Sequence, residues 1–319
     1  MNMMDIMGKR NYCFILSGLI LVACIIGMIV NGVQMDIQFQ GGTIMQIEMP
    51  SGDFDETKAV DIVKSTIGKR ATVQKSKTYN AETSENDINL LVLNIGSSET
   101  LTEEERTSVR DAIFTEYNVD ENAVVEVNSV EPFIGDEIKV KSLYSIFWAS
   151  LLIVLYVWFR FRIMHGLSAG IFAVLALIHD VMVMFTVYVI FKIPLNESFV
   201  AAVLTIIGYS INDTVVIYDR IRENSRILKK MPVGELVNRS VVETLSRSIN
   251  TSVTTLICIL TLYIFASVYN IGSVKEFTLP LSVGILSGCY STIFIASPLY
   301  MLWQQRGEKK KASRKIAKA

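Results

Sequence analysis

The sequence lacks every short motif that would cradle a nucleotide or mark a common hydrolase. It has no GxxxxGK[ST], no GxGxxG after a strand, no GxSxG and no HExxH. If the protein does work, its energy has to come from an ion gradient, where one charge crossing 100 mV is worth about 2.3 kcal/mol. Cysteine is scarce: Cys13, Cys24, Cys258 and Cys289 are the four, and all lie in apolar runs. None forms a CxxC or a Cys/His spacing, which argues against both a metal site and a soluble disulfide framework. Charge is also sparse, at 19% of 319 residues with a net value of -1. What is abundant is apolar surface: 51% of residues are hydrophobic and the mean hydropathy is +0.40.

That apolar content is concentrated in long runs. Lys9 and Arg10 precede the run Tyr12 to Val30, which reaches the ~20 residues needed to cross a bilayer core. It exceeds the roughly 7–15 apolar residues of a cleaved signal peptide, so it reads as an uncleaved first span with its N-terminus inside. Five more runs follow: Leu143 to Phe159, Leu167 to Phe191, Phe199 to Tyr218, Ile249 to Val268 and Phe277 to Trp303. The basic segments Arg160-Phe161-Arg162, Arg220 to Arg239 and Arg306 to Lys318 follow alternate spans. With Lys9 and Arg10 they all lie on one face of a six-span topology, which puts both termini in the cytoplasm. The loops near Lys192-Ile193-Pro194 and Asn270 to Lys275 then lie outside. The basic tail reads as a solvated orientation signal that can meet anionic lipid, and nothing points to a specific nucleic acid.

Residues 31 to 137 differ in character. They are polar, alternating and mostly acidic. Ile37 to Met49 reads as a strand interrupted by Gly41 and Gly42. Phe54 to Ile67 reads as a helix capped by Ser51 or Asp53. Thr72 to Tyr79 and Ile88 to Ile95 read as strands, Leu101 to Tyr117 as a helix with Thr102 and Glu105 as its capping box, and Val124 to Val130 as a strand. Strand, helix, strand, strand, helix, strand is the order of a ferredoxin-like split unit. The expected organisation is therefore a cytoplasmic N-terminus and first span over 1–30 and an extracytoplasmic α+β domain over 31–137. A five-helix membrane part over 138–303 and a basic cytoplasmic tail over 304–319 follow.

Polar residues inside apolar runs carry the chemistry. Asn212 and Asp213 sit within the fourth span, and a carboxylate at such depth costs about 2.5–3.5 kcal/mol on insertion scales. Residues of this kind face a bundle interior and mark ion or proton paths. Arg247 opens the fifth span at the same inner end. It either reaches Asp213 or snorkels to the headgroups. Ser246, Arg247, Asn250, Thr251 and Thr254 give that span a polar face, which serves a path or merely glues helices together. His179 and Asp180 lie mid-way along the third span and serve either a proton relay or a hydrogen-bonded helix contact. Glu197 begins the fourth span as a vestibule residue or a cap. Asp219, Arg220, Arg222 and Glu223 read as an ion cluster at the inner face.

These residues together resemble the SecD/SecF family of protein-export membrane subunits, within the RND superfamily. The resemblance rests on Gly208-Tyr-Ser-Ile-Asn-Asp-Thr-Val-Val, Tyr218-Asp-Arg-Ile-Arg-Glu-Asn224, Asn238-Arg-Ser and Thr244-Leu-Ser-Arg-Ser-Ile-Asn-Thr-Ser252. Phe39-Gln-Gly-Gly-Thr43 and Leu177-Ile-His-Asp-Val181 add to it, and it covers nearly the whole chain. It implies a non-enzymatic half-transporter in the bacterial inner membrane, paired with a SecD partner. The pair would assist the SecYEG channel and pull exported, unfolded polypeptide outward on a proton gradient, or on sodium, with no bound cofactor. It carries Asp213 and Arg247 over as ion-path residues and Thr251 as their neighbour. Two departures concern the hinge between domain and membrane. The family's Asp-Phe-Thr-Gly-Gly-Thr reads Gln38-Phe39-Gln40-Gly41-Gly42-Thr43 here, and its Gly-Pro reads Glu131-Pro132. A lipid or small-molecule exporter of the same superfamily, and a scaffold that moves no ion, are the rival readings.

Overall fold

The computed structural model describes residues 5–51, 54–78, 88–96, 101–120, 123–161, 166–269 and 271–316. Asp53, Tyr79, Arg162, Asn270 and the last three residues of the tail lie outside them, with the expectations that fell there. Helix α1 (Arg10–Asn31) is followed by a one-turn helix α2 (Ile37–Gln40) and strand β1 (Gly42–Met49). Helix α3 (Glu56–Ile67), strands β2 (Arg70–Thr78) and β3 (Ile88–Gly96), helix α4 (Glu103–Tyr117) and strand β4 (Val125–Val130) complete the polar region. The remaining helices are α5 (Pro132–Arg160), α6 (Gly166–Ile190), α7 (Glu197–Ile227), α8 (Val233–Val268), α9 (Gly272–Ser291) and α10 (Ser297–Ile316). Six helical stretches among the described residues are long and apolar enough to cross a membrane, with α9 and α10 counting as one.

The polar region folds as one antiparallel sheet in the order β2-β3-β1-β4. Alternation along the strands decides which face is covered. Met45, Ile47, Met49, Leu91, Leu93 and Ile95 point into a core with Val63 of α3 and Val109 and Ile113 of α4. Each fully buried side chain of this size contributes about 1.5–3 kcal/mol. Thr102 and Glu105 form the expected capping box of α4. Lys69 bonds Glu105 and, with the Thr102 amide, holds its carboxyl below the usual range.

Two local readings are corrected. The expected strand from Ile37 begins instead as the turn of helix α2. Asp36 caps it by accepting the Gln38 amide, and Gly41 then turns the chain at φ +76°. The cap of α3 is Asp55, which accepts the Thr57 amide, rather than Ser51 or Asp53. The segments that carry the altered hinge residues meet at this point. A Cβ on Gly41 would lie 2.6 Å from the Pro132 backbone, and one on Gly135 would lie 3.0 Å from the Gly41 nitrogen. Gly41→Ala is therefore expected to destabilise the purified chain by more than about 1 kcal/mol, since Ala at positive φ is strained and here also collides with backbone. Thermal unfolding in detergent checks this, and an unchanged midpoint rejects the hinge geometry.

The membrane part is layered. Half of the span window of α6 is buried, and 67% of the α9–α10 window, against 11%, 6% and 11% for α1, α5 and α8. So α6 and α9 form the centre, while α1, α5 and α8 present Leu19, Ile29, Leu152 and Ile257 outward. Close approach of α7 to α9 depends on small residues. A Cβ on Gly288 would lie 3.1 Å from the Ser210 Cβ, and one on Gly284 would strike the end of Ile206. Between α9 and α10 the helix widens to a π turn over Thr292–Ala296. Pro298 follows after Ser297, and a proline ring clashes with the carbonyl four residues back, which a widened turn relieves.

Helices α7 and α8 run past the expected spans. At 1.5 Å per residue they are about 46 and about 54 Å long, against a bilayer core of about 30 Å. The apolar runs end at Tyr218 and begin at Ile249, but no proline interrupts the hydrogen-bond ladder until Pro232, the N-cap of α8. Helix propensity continues where hydrophobicity stops.

Candidate functional site

Asp213 lies on the side of α7 that meets α8. Ser248 of α8 donates a hydrogen bond to its Oδ1, and its Oδ2 is buried without a hydrogen-bond partner. One turn away Tyr209 donates to Ser252 of α8. One carboxylate oxygen is thus satisfied and the other is buried and unpaired, and an unmet charge in a low dielectric is costly. Ser248 was not singled out in the sequence. Its four-residue spacing from Ser252, both facing α7, is the signal that would have found it.

Arg247 makes no ion pair with Asp213. It is exposed and lines a cavity of about 580 Å³ at the inner end of α7 and α8, together with Asp219, Arg220, Glu223 and Glu243. Of its two sequence readings, the direct reach to Asp213 is not made, and the side chain lies in that cavity. The expected ion cluster is present and larger than anticipated. Asp219 pairs with Arg160 of α5 and Arg222, and Arg220 with Glu223. Glu243 of α8 binds Arg220, Arg239 and Asn224 together. The cluster as a whole ties α5, α7 and α8 at the end that carries the basic residues. Asn212, Asn250 and Thr251 are exposed. Thr251 and Thr254 spend their hydroxyls on the carbonyls of Arg247 and Asn250. Glu197 sits in the first turn of α7, and Asn196 is its cap.

The third-span pair is enclosed within the bundle. Asp180 is completely buried. Ser210 of α7 (2.8 Å) and Ser291 of α9 (2.7 Å) donate to its Oδ2, and Ser287 of α9 (2.7 Å) to its Oδ1. His179 Nδ1 lies 3.3 Å from Oδ1, and its Nε2 is buried without a partner. The serines went unread because each looks like packing glue. Only their convergence on one carboxylate sets them apart. Among the described residues no group of three or more His, Cys, Asp or Glu could hold a metal ion.

A bundle of membrane-crossing helices with unpaired acid buried between them defines the class: a multi-pass membrane transport protein. Residues 110–306 match the family described as protein export membrane protein SecD/SecF, C-terminal. The chain is 34% identical over 312 residues to the protein translocase subunit SecF of Alicyclobacillus acidocaldarius, covering 96% of this chain and 94% of that one. It is also 34% identical over 289 residues to the SecDF translocase subunit of Brucella abortus, covering 90% of this chain and 36% of that one. The crystal structure of SecDF from Thermus thermophilus, described as a translocon-associated membrane protein, superposes with TM-score 0.78 at 28% identity. That match covers 95% of this chain and 39% of the solved one. The chain thus spans about two fifths of the SecDF chains of known structure. The chain belongs to the SecD/SecF family of protein-export membrane proteins, and its relatives are subunits that serve protein translocation.

Proposed function

We propose that the chain is the SecF-type half of an export machine that works with a SecD partner at the SecYEG channel and draws on the ion-motive force. The observation that carries this is the unpaired Oδ2 of Asp213, buried beside α8. A cation arriving there cancels the buried charge and changes the Asp213–Ser248 tie, so α7 and α8 settle differently. Arg247, exposed one residue before Ser248, meets Asp213 only if that shift brings it inward. Fused SecDF relatives support a SecD-like partner. So do the exposed side-chain amides of Asn212 and Asn250, which hydrocarbon would leave unsolvated.

The proposed placement puts both termini in the cytoplasm of the bacterial inner membrane and the β2-β3-β1-β4 domain outside, with the strand order of a ferredoxin-like split unit. The open face of its sheet, through Gln46, Gln74 and Asn94, and the outer ends of α8 and α9, through Phe265, Tyr269 and Glu276, line a cleft of about 600 Å³. An emerging extended polypeptide would pass there. The test is export into inverted membrane vesicles carrying the channel, the partner and this chain, with and without an ionophore. The expected result is that the chain raises export only while the gradient stands. Equal stimulation after collapse of the gradient rejects ion coupling, and export of lipid or dye without a channel favours the rival transporter.

A further inference from the structure

His179 and Asp180 form an ionisable centre apart from Asp213, on the α6 side of α7. Among the described residues no Lys or Arg pairs with Asp180, although it has no exposed surface. A buried carboxylate is stabilised further by an adjacent positive charge, and His179, with Nδ1 3.3 Å from Oδ1, is the adjacent group able to carry one. Its ring is 5% exposed. With Nδ1–H directed at Asp180 Oδ1, Nε2 is a lone pair to which nothing donates.

The surroundings leave that role to His179. From α9, Tyr290 lies against the imidazole at 6.0 Å between ring centres. Its hydroxyl is already engaged, donating to the Cys13 carbonyl and accepting from Ser17 of α1. From α1, Cys24 bonds the Met182 carbonyl. From α7 comes Ser210, and Asp213 beyond it is bonded towards α8. From α5, Val154 backs Gly170 of α6. No charged group on these helices bonds the ring except Asp180.

We propose that His179 and Asp180 are a second proton-accepting site, whose occupancy sets how α9 is tethered to α6. Nδ1 and Ser287 both address Oδ1, so a proton taken up at Nε2 strengthens the Nδ1 donor against the serine hydroxyl. Ser287, whose hydroxyl also lies 3.5 Å from Nδ1, is the group whose contacts change, while Ser210 and Ser291 keep α7 and α9 on Oδ2. The proton comes from water and resides on the imidazole, with Asp180 as its counter-charge. The inference does not rest on the export reading, because its test reads the imidazole itself.

The sequence has two histidines, His165 and His179, so His165→Gln leaves one imidazole. The full chain, labelled with nitrogen-15 histidine and held in lipid bilayers, is followed by solid-state NMR between about pH 5 and about pH 8, where imidazole normally titrates. The expected result is conversion of the His179 signals from a neutral to a cationic ring within that range. Adding Asp180→Asn, which keeps an oxygen acceptor, is expected to weaken the cationic signal about tenfold at the same acidic pH. A ring that stays neutral throughout with Asp180 intact overturns the proposal, and so does a cationic signal indifferent to Asp180→Asn. The first measurement alters nothing in the centre, so misfolding of the second variant does not rescue the idea.

Discussion

Asp213→Asn is expected to bring gradient-driven export down to the level of wild-type vesicles whose gradient has been collapsed. The size of the effect follows from what the carboxylate would transduce. One charge moved through 100 mV supplies about 2.3 kcal/mol, which is more than tenfold in any equilibrium it drives. Asparagine keeps the Oδ1 acceptor for Ser248, so helix packing and yield should persist. It cannot bind a proton at Oδ2, the atom left unpaired in the bundle. Ser248→Ala makes the complementary point. It leaves the charge and removes the tie, so export should weaken while remaining dependent on the gradient. The measurement is export rate at matched protein levels with and without ionophore. If Asp213→Asn exports at the wild-type rate with the gradient intact, Asp213 carries no ion.

Thr251→Trp should cut recovery of the partner subunit at least tenfold, a cost of about 1.4 kcal/mol or more. Thr251 is exposed and its hydroxyl is spent on its own helix, so the isolated chain loses little. A tryptophan there would stand proud of the strip that Asn250 and Thr254 share. If that strip meets another set of helices, small residues permit the close approach and a large ring forbids it. If it meets lipid, tryptophan is harmless. Pull-down of the partner from solubilised membranes, with the unfolding midpoint of the isolated chain as control, separates the two. Full recovery of the partner would mean that the polar strip has some other purpose.

The Asp213→Asn prediction depends on a difference between Arg247 and Asp213 that spacing alone left open. The sequence places an acid and a base at the same inner depth on successive spans. In the structure the base turns to the watery cavity of Asp219 and Glu243, and the acid turns to Ser248. A long flexible side chain takes the better-solvated rotamer, and that choice is made by neighbours absent from the local sequence. The same limit hid the serine cage of Asp180. Ser287 and Ser291 are a turn apart on α9, and Ser210 is on another helix, so nothing in the linear order joins them. The capping box of α4 and the sheet core were legible because their partners are local or alternate with a fixed period.

By itself the sequence determined six apolar helices, a polar α+β insert after the first of them, a family resemblance and the depth of each acid. Length, hydropathy and period are properties of consecutive residues, and a bilayer or a sheet reads them directly. Only the tertiary structure decided that Asp213 bonds a serine rather than an arginine, that three helices converge on Asp180, and that Ile37 starts a helical turn. Those outcomes depend on helix rotation, on how closely glycines let backbones approach, and on competition for buried hydrogen bonds between groups far apart in the chain.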